Sequence, residues 1–137
     1  MVAPASTLSR PFARRSLLIA EHEESLRRDL DSLFGTEGYE THLAEDDASA
    51  VEIVHRERID VVILDIELPH GGGLSVLRVI RSVVGARVPC VLTASDVTSR
   101  LQVSAFLEDV FTVVPKPPDD ALLKRVVDMA LRRYRLL

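Results

Sequence analysis

The run Val61-Val62-Ile63-Leu64, closed by Asp65, constrains this chain more than any other stretch. Consecutive branched apolar residues that do not alternate with polar ones leave a strand with no face for water. This is how the middle strand of a parallel sheet reads, because crossover helices cover both sides of such a sheet. Other strand-length runs occur at Ser16 to Ala20, Tyr39 to Leu43, Pro89 to Thr93 and Val110 to Val114, the second being the weakest. Between them, apolar residues fall at helical spacing. Leu26, Leu30, Leu33 and Phe34 form one such set, which Gly35 and Gly38 stop; Ala50, Val51 and Val54 form a second. Leu74, Leu77, Ile80 and Val84 form a third, and Val97, Leu101 and Ala105 a fourth. The fifth is Leu122, Leu123, Val126, Val127 and Ala130, with Asp119 or Asp120 as N-cap after Pro117-Pro118. Five strands alternating with five helices predict an α/β fold: a doubly wound five-stranded parallel sheet with helices on both faces. The flavodoxin-like order 2-1-3-4-5 is the common one for a fold of this size, not something the runs themselves dictate.

Composition narrows the function classes. With 137 residues and 47% apolar content, the chain has enough material for one core. A net charge of -4 offers no general attraction to nucleic acid or to an anionic membrane, so direct nucleic-acid binding is not expected. No apolar stretch reaches the roughly 20 residues needed to cross a bilayer. Cys90 is the single cysteine, which excludes an intrachain disulfide or a cysteine-rich zinc site; it reads as core filler in a reducing, cytoplasmic setting. Residues 1–14 read as a flexible N-terminal extension, and 15–137 as the folded domain.

In open α/β sheets, ligands bind beyond the carboxyl ends of the strands. Those ends carry Glu21, His22, Glu23 and Glu24 after the first strand, Asp65 after the third, Thr93-Ala94 at the fourth and Lys116-Pro117 after the fifth. Each has an ordinary structural reading: a strand-ending Asp often caps a turn, a Thr favours strands, and a Lys is usually solvated. Their coincidence at one sheet edge is what matters. Carboxylates, a hydroxyl and an ammonium together make a cradle for a metal ion and a phosphoryl group. Other phosphate chemistry fits less well. Gly71-Gly72-Gly73 lacks the Lys and Ser or Thr of a P-loop, and a phosphohydrolase using an Asp nucleophile would want D-x-D where Asp65-Ile66-Glu67 stands.

On these residues the sequence resembles the response-regulator receiver family, from about Arg15 to the last helix. The stretch Val61 to Leu74 carries the family's apolar strand, acceptor Asp, proline four residues on and glycine eight residues on; Val91-Leu92-Thr93-Ala94 and Lys116-Pro117 match its other signatures. The resemblance implies that Asp65 accepts a phosphoryl group from a sensor histidine kinase or a His-phosphotransfer protein. It implies Mg2+ held by Glu21, Asp65 and the backbone carbonyl of Glu67, with Lys116 and Thr93 contacting phosphoryl oxygens. It also implies a cis Lys116-Pro117 bond and output through the face of the fourth helix, fifth strand and fifth helix to a downstream protein or a second copy. These roles require Lys116 and Thr93 near Asp65 and that acid not buried away from solvent. Beyond transfer to its own Asp65, the domain is not expected to be an enzyme.

Two positions depart from the family. The family has two adjacent acids after the first strand, whereas here Glu21 is followed by His22. An imidazole nitrogen suits Mg2+ less well than a carboxylate oxygen, so His22 is either a metal ligand of altered preference, with weakened Mg2+ binding, or a hydrogen-bond partner of Asp65 or Glu23. At the switch position three residues before Lys116 the family has Tyr or Phe, and this chain has Val113; Phe111 shares its facing parity two residues earlier. These departures admit an alternative reading, a degenerate pseudo-receiver that works as a phosphorylation-independent interaction or dimerisation module.

Overall fold

The computed structural model describes residues 14–85 and 87–135. Except for Arg14, the expected N-terminal extension lies outside the described residues. The chain alternates β1 (Ser16–Ala20), α1 (Glu24–Thr36), β2 (Glu40–Ala44), α2 (Asp47–Arg56), β3 (Val61–Asp65), α3 (Gly73–Val84), β4 (Cys90–Ala94), α4 (Ser99–Leu107), β5 (Thr112–Pro115) and α5 (Asp120–Arg135). All neighbouring strands pair in parallel, in the order β2-β1-β3-β4-β5. β1, β3 and β4 are buried from end to end, as their unbroken apolar runs require.

Strand alternation splits the core into two layers. Leu18, Ala20, Val62, Leu64, Cys90 and Leu92 face α2, α3 and α4, meeting Ala50, Ile53, Val76, Leu77, Ile80 and Ala105. Leu17, Ile19, Val61, Ile63 and Val91 face α1 and α5, meeting Leu30, Phe34, Leu123, Val127 and Ala130. Fully burying one such side chain contributes about 1.5–3 kcal/mol, so these two layers supply the fold's main driving force. A one-residue register slip would exchange the layers, which fixes the strand alignment.

Helix starts are held by local bonds. Asp46 accepts from Ser49 N (2.8 Å), Thr98 Oγ1 from Leu101 N (3.0 Å) and Asp119 Oδ1 from Leu122 N (2.9 Å). Gly38, at φ +94°, follows the end of α1, whereas Gly35 lies inside the helix and does not stop it.

β5 begins later than the apolar run suggests. Val110 N bonds back to Ala105 O (3.0 Å), closing the end of α4, and Phe111 comes just before the first strand residue. Outside the strand, parity no longer applies. Phe111 packs against the α1 and α5 layer, with Arg133 5.9 Å from its ring centroid, while Val113 packs against the opposite layer. The expectation that the two residues share a face is therefore corrected.

Candidate functional site

Parallel pairing sends the carboxyl ends of β1, β3, β4 and β5 to one edge. Ala20 aligns with Leu64, Asp65 with Thr93, and Thr93 with Val114. Glu21, Asp65, Thr93 and Lys116 are thereby brought together from distant parts of the sequence. Asp65 ends β3, and the α3 N-terminus rests directly on it: Gly73 N donates to Ile66 O (3.0 Å). An added Cβ at Gly73 would lie 2.5 Å from Asp65 O, so only glycine permits this approach.

Both Asp65 oxygens are engaged. Oδ1 accepts from Glu67 N (2.8 Å) and Lys116 Nζ (3.1 Å). Oδ2 accepts from His22 N (3.3 Å) and makes a close contact with His22 Nδ1. Lys116 Nζ also lies 3.3 Å from both oxygens of Glu21 and 3.4 Å from Glu67 Oε1. Glu21 Oε2 takes a bond from Glu23 N (2.9 Å), and Arg27 donates to the Glu21 carbonyl (2.9 Å).

These contacts set the charge states. Burial works to raise the Asp65 carboxyl, but bonds from His22, Glu67 N–H and Lys116 outweigh it and hold the group below its ordinary range. Burial pushes Glu21 up, and the Asp65 charge adds to this, against the Glu23 N–H and Lys116. Burial alone would depress Lys116, yet the two carboxylates hold it above its ordinary value, so it stays an ammonium.

Thr93 is also buried, and its hydroxyl has no hydrogen-bond partner among the described residues. A buried hydroxyl without a partner is costly, and here it is a donor available to an oxygen placed beside Asp65. Glu21, His22 and Asp65 each present one ligand atom within 4.8 Å of the others. Two carboxylate oxygens and an imidazole nitrogen suit a divalent cation, though this trio suits Mg2+ less well than three oxygens would.

Sequence reasoning named Glu21, His22, Asp65, Thr93 and Lys116, and Lys116-Pro117 is cis as the family resemblance implied. Two features were missed. The Glu67 side chain joins the site, receiving a bond from Ser95 Oγ (3.0 Å) as well as the Lys116 contact. Asp65 is also less accessible than expected, with an exposure of 0%. Its carboxylate is contacted by the Lys116 (6% exposed) and His22 (37%) side chains and by the backbone N–H groups of His22 and Glu67. The imidazole folds back onto Oδ2 because that oxygen is the acceptor nearest its Nδ1. Beside Lys116 a pocket of about 380 Å³ opens between Glu23, Leu26, Asp29, Ser95 and Pro117.

Comparison with known proteins agrees with this geometry. Residues 17–128 match the family model described as response regulator receiver domain. The transcriptional activator protein PfeR of Pseudomonas aeruginosa is 34% identical over 131 residues, covering 96% of this chain and 42% of that protein. The regulatory protein AtoC of Escherichia coli is 32% identical over 116 residues, covering 85% and 25%. The chain thus spans less than half the length of these relatives. Among solved structures, a CheY-like receiver domain protein from Methanospirillum hungatei superposes with TM-score 0.83 at 15% identity, covering 90% of this chain and 98% of that one. The receiver domain of an HD domain-containing protein from Pseudomonas fluorescens gives 0.83 at 24%, covering 90% and 99%.

Proposed function

The chain belongs to the response regulator receiver domain family, and from that premise we propose that it accepts a phosphoryl group on Asp65 and signals through the resulting change of surface. In this reading Asp65 Oδ2 attacks the phosphorus of a phosphohistidine on a sensor kinase or phosphotransfer protein. The P–N bond breaks, the imidazole leaves with its electron pair, and Asp65 becomes an acyl phosphate. Lys116, already an ammonium between Asp65 and Glu21, pairs with a phosphoryl oxygen as that charge arrives. Thr93 donates its unpartnered hydroxyl to another. A divalent cation, when bound, would offset the repulsion between carboxylate and phosphoryl group. Glu21, Asp65, the Glu67 carbonyl and His22 are the residues that would hold it.

The observation that carries this reading is the pairing of Lys116 and the orphaned Thr93 hydroxyl around one carboxylate, reached from three separate strands. His22 must rotate off Oδ2 before attack, and its exposure leaves it room to do so. The domain acts in the cytoplasm, performs no catalysis beyond its own transfer, and passes the signal to a protein partner or a second copy through α4, β5 and α5. Among the exposed apolar residues of α4 and α5 are Val103, Phe106, Leu107, Leu122 and Met129.

The test is incubation with acetyl phosphate, with and without Mg2+, followed by intact mass measurement. A metal-dependent gain of one phosphoryl group, absent in Asp65→Asn, is expected. A second reading, the phosphorylation-independent interaction module, draws on the imidazole covering Oδ2 and on Val113 at the switch position. It predicts no gain of mass in either protein.

A further inference from the structure

We propose that the cation site at Asp65 is built for a borderline divalent transition ion, of the Co2+ or Zn2+ class, in preference to Mg2+, with His22 Nδ1 as a direct ligand. The inference rests on the reading of Glu21 and Asp65 as the cation site, and adds which ion they take and why.

The placement of the imidazole carries the argument. Nδ1 is aimed between the carboxylates, in close contact with Asp65 Oδ2 and 3.4 Å from Glu21 Oε2. The remaining bonds of those carboxylates hold them in place around that nitrogen. Glu23 N fixes Glu21 Oε2 at 2.9 Å, and Glu67 N fixes Asp65 Oδ1 at 2.8 Å. The three donor atoms therefore sit on one small patch, with His22 (37% exposed) the one of the three that reaches solvent.

Charge points the same way. Lys116 already neutralises part of the Glu21 and Asp65 pair, at 3.1–3.3 Å. Mg2+ depends on charged or neutral oxygens and gains little from an imidazole. A borderline transition ion gains from the nitrogen itself, and its affinity for mixed nitrogen and oxygen donors rises along the series toward copper. Neutral imidazole in place of a second acid removes one negative charge and adds one nitrogen, and both changes favour the transition ion.

Titration calorimetry of the protein with Co2+ and with Mg2+, without any phosphoryl donor, tests the inference apart from the acceptor role. Co2+ is expected to bind at least about tenfold tighter than Mg2+, and Asp65→Asn to abolish the tight Co2+ event. His22→Asp is expected to narrow that preference at least about tenfold. In the unaltered protein, the visible absorption of bound Co2+ reports nitrogen ligation, and it should differ from that of His22→Asp. Equal affinities for the two ions, a preference unchanged by His22→Asp, or identical Co2+ spectra would overturn the proposal while leaving phosphorylation of Asp65 intact. Failure of both ions to bind would overturn it together with the cation-site reading.

Discussion

Replacing Gly73 with alanine adds one methyl group, and the surroundings of that methyl decide the outcome. It would lie 2.5 Å from Asp65 O, 2.9 Å from Ile66 Cα and 3.1 Å from Asp65 C, all backbone atoms that no rotamer change can move. Ordinary contact begins near 3.4 Å, so the start of α3 must retreat from the end of β3 by most of an ångström. Overpacking of this kind costs about 1–3 kcal/mol, and losing the Gly73 N to Ile66 O bond adds about 1 kcal/mol. Against this, alanine returns about 0.5–1 kcal/mol of helix propensity. The net expectation is a loss of about 1–3.5 kcal/mol. Gly35→Ala is the matched control. It lies inside α1 with nothing within 4 Å of the added carbon, and should gain about 0.5–1 kcal/mol. Urea unfolding followed by far-UV circular dichroism, at equal m-values, reads both changes. A Gly73→Ala protein as stable as the parent, or a Gly35→Ala protein destabilised by a similar amount, would refute the reasoning. Phosphorylation of Gly73→Ala from acetyl phosphate should also slow, because the displaced backbone belongs to the acceptor itself.

Other expectations are simpler. Burial pushes the Cys90 thiol up to about 12, so a thiol-alkylating reagent near pH 8 should leave the native protein unlabelled and modify it only after denaturation. Arg81 donates to the Glu108 carbonyl, to Asp109 O (2.8 Å) and to Val88 O (3.4 Å), tying α3 to the loops that flank β4 and β5. Arg81→Ala should lower stability by about 2–3 kcal/mol in chemical denaturation. The Ser49 N–H and hydroxyl hold the Asp46 carboxyl below its ordinary 3.8. The stabilisation from this cap is therefore present above that value and lost as pH falls through the lower native one. The difference in urea midpoint between Asp46→Ala and the parent should fade across that acid range and stay constant above it.

What was legible in the sequence followed from how strongly burial filters residue type. β1, β3 and β4 are enclosed on both faces, so their positions had to be apolar and could be read directly. β2 is an edge strand with mixed burial, and its run was placed one residue early. β5 was placed two residues early because Val110 and Phe111 are apolar for other reasons, the one ending α4 and the other covering the α1 and α5 layer. Asp65, Thr93 and Lys116 were legible because strand termini converge in this topology whatever the intervening helices contain. The bond of His22 to Asp65 was one of the alternatives the sequence left open, whereas the Glu67 side chain on Lys116 and the Arg81 tie were not legible. Those depend on where flexible side chains point, which no periodicity encodes.

The lone hydroxyl of Thr93 has one more consequence. A buried donor with no protein acceptor makes the resting fold poorer by about 1–3 kcal/mol than a valine of similar shape would. A phosphoryl group held at Asp65, as proposed above, would supply the missing acceptor and offset that deficit, so Thr93 would contribute to its retention. On the function proposed above, Thr93 would tilt the balance between the unphosphorylated and phosphorylated domain by up to that amount.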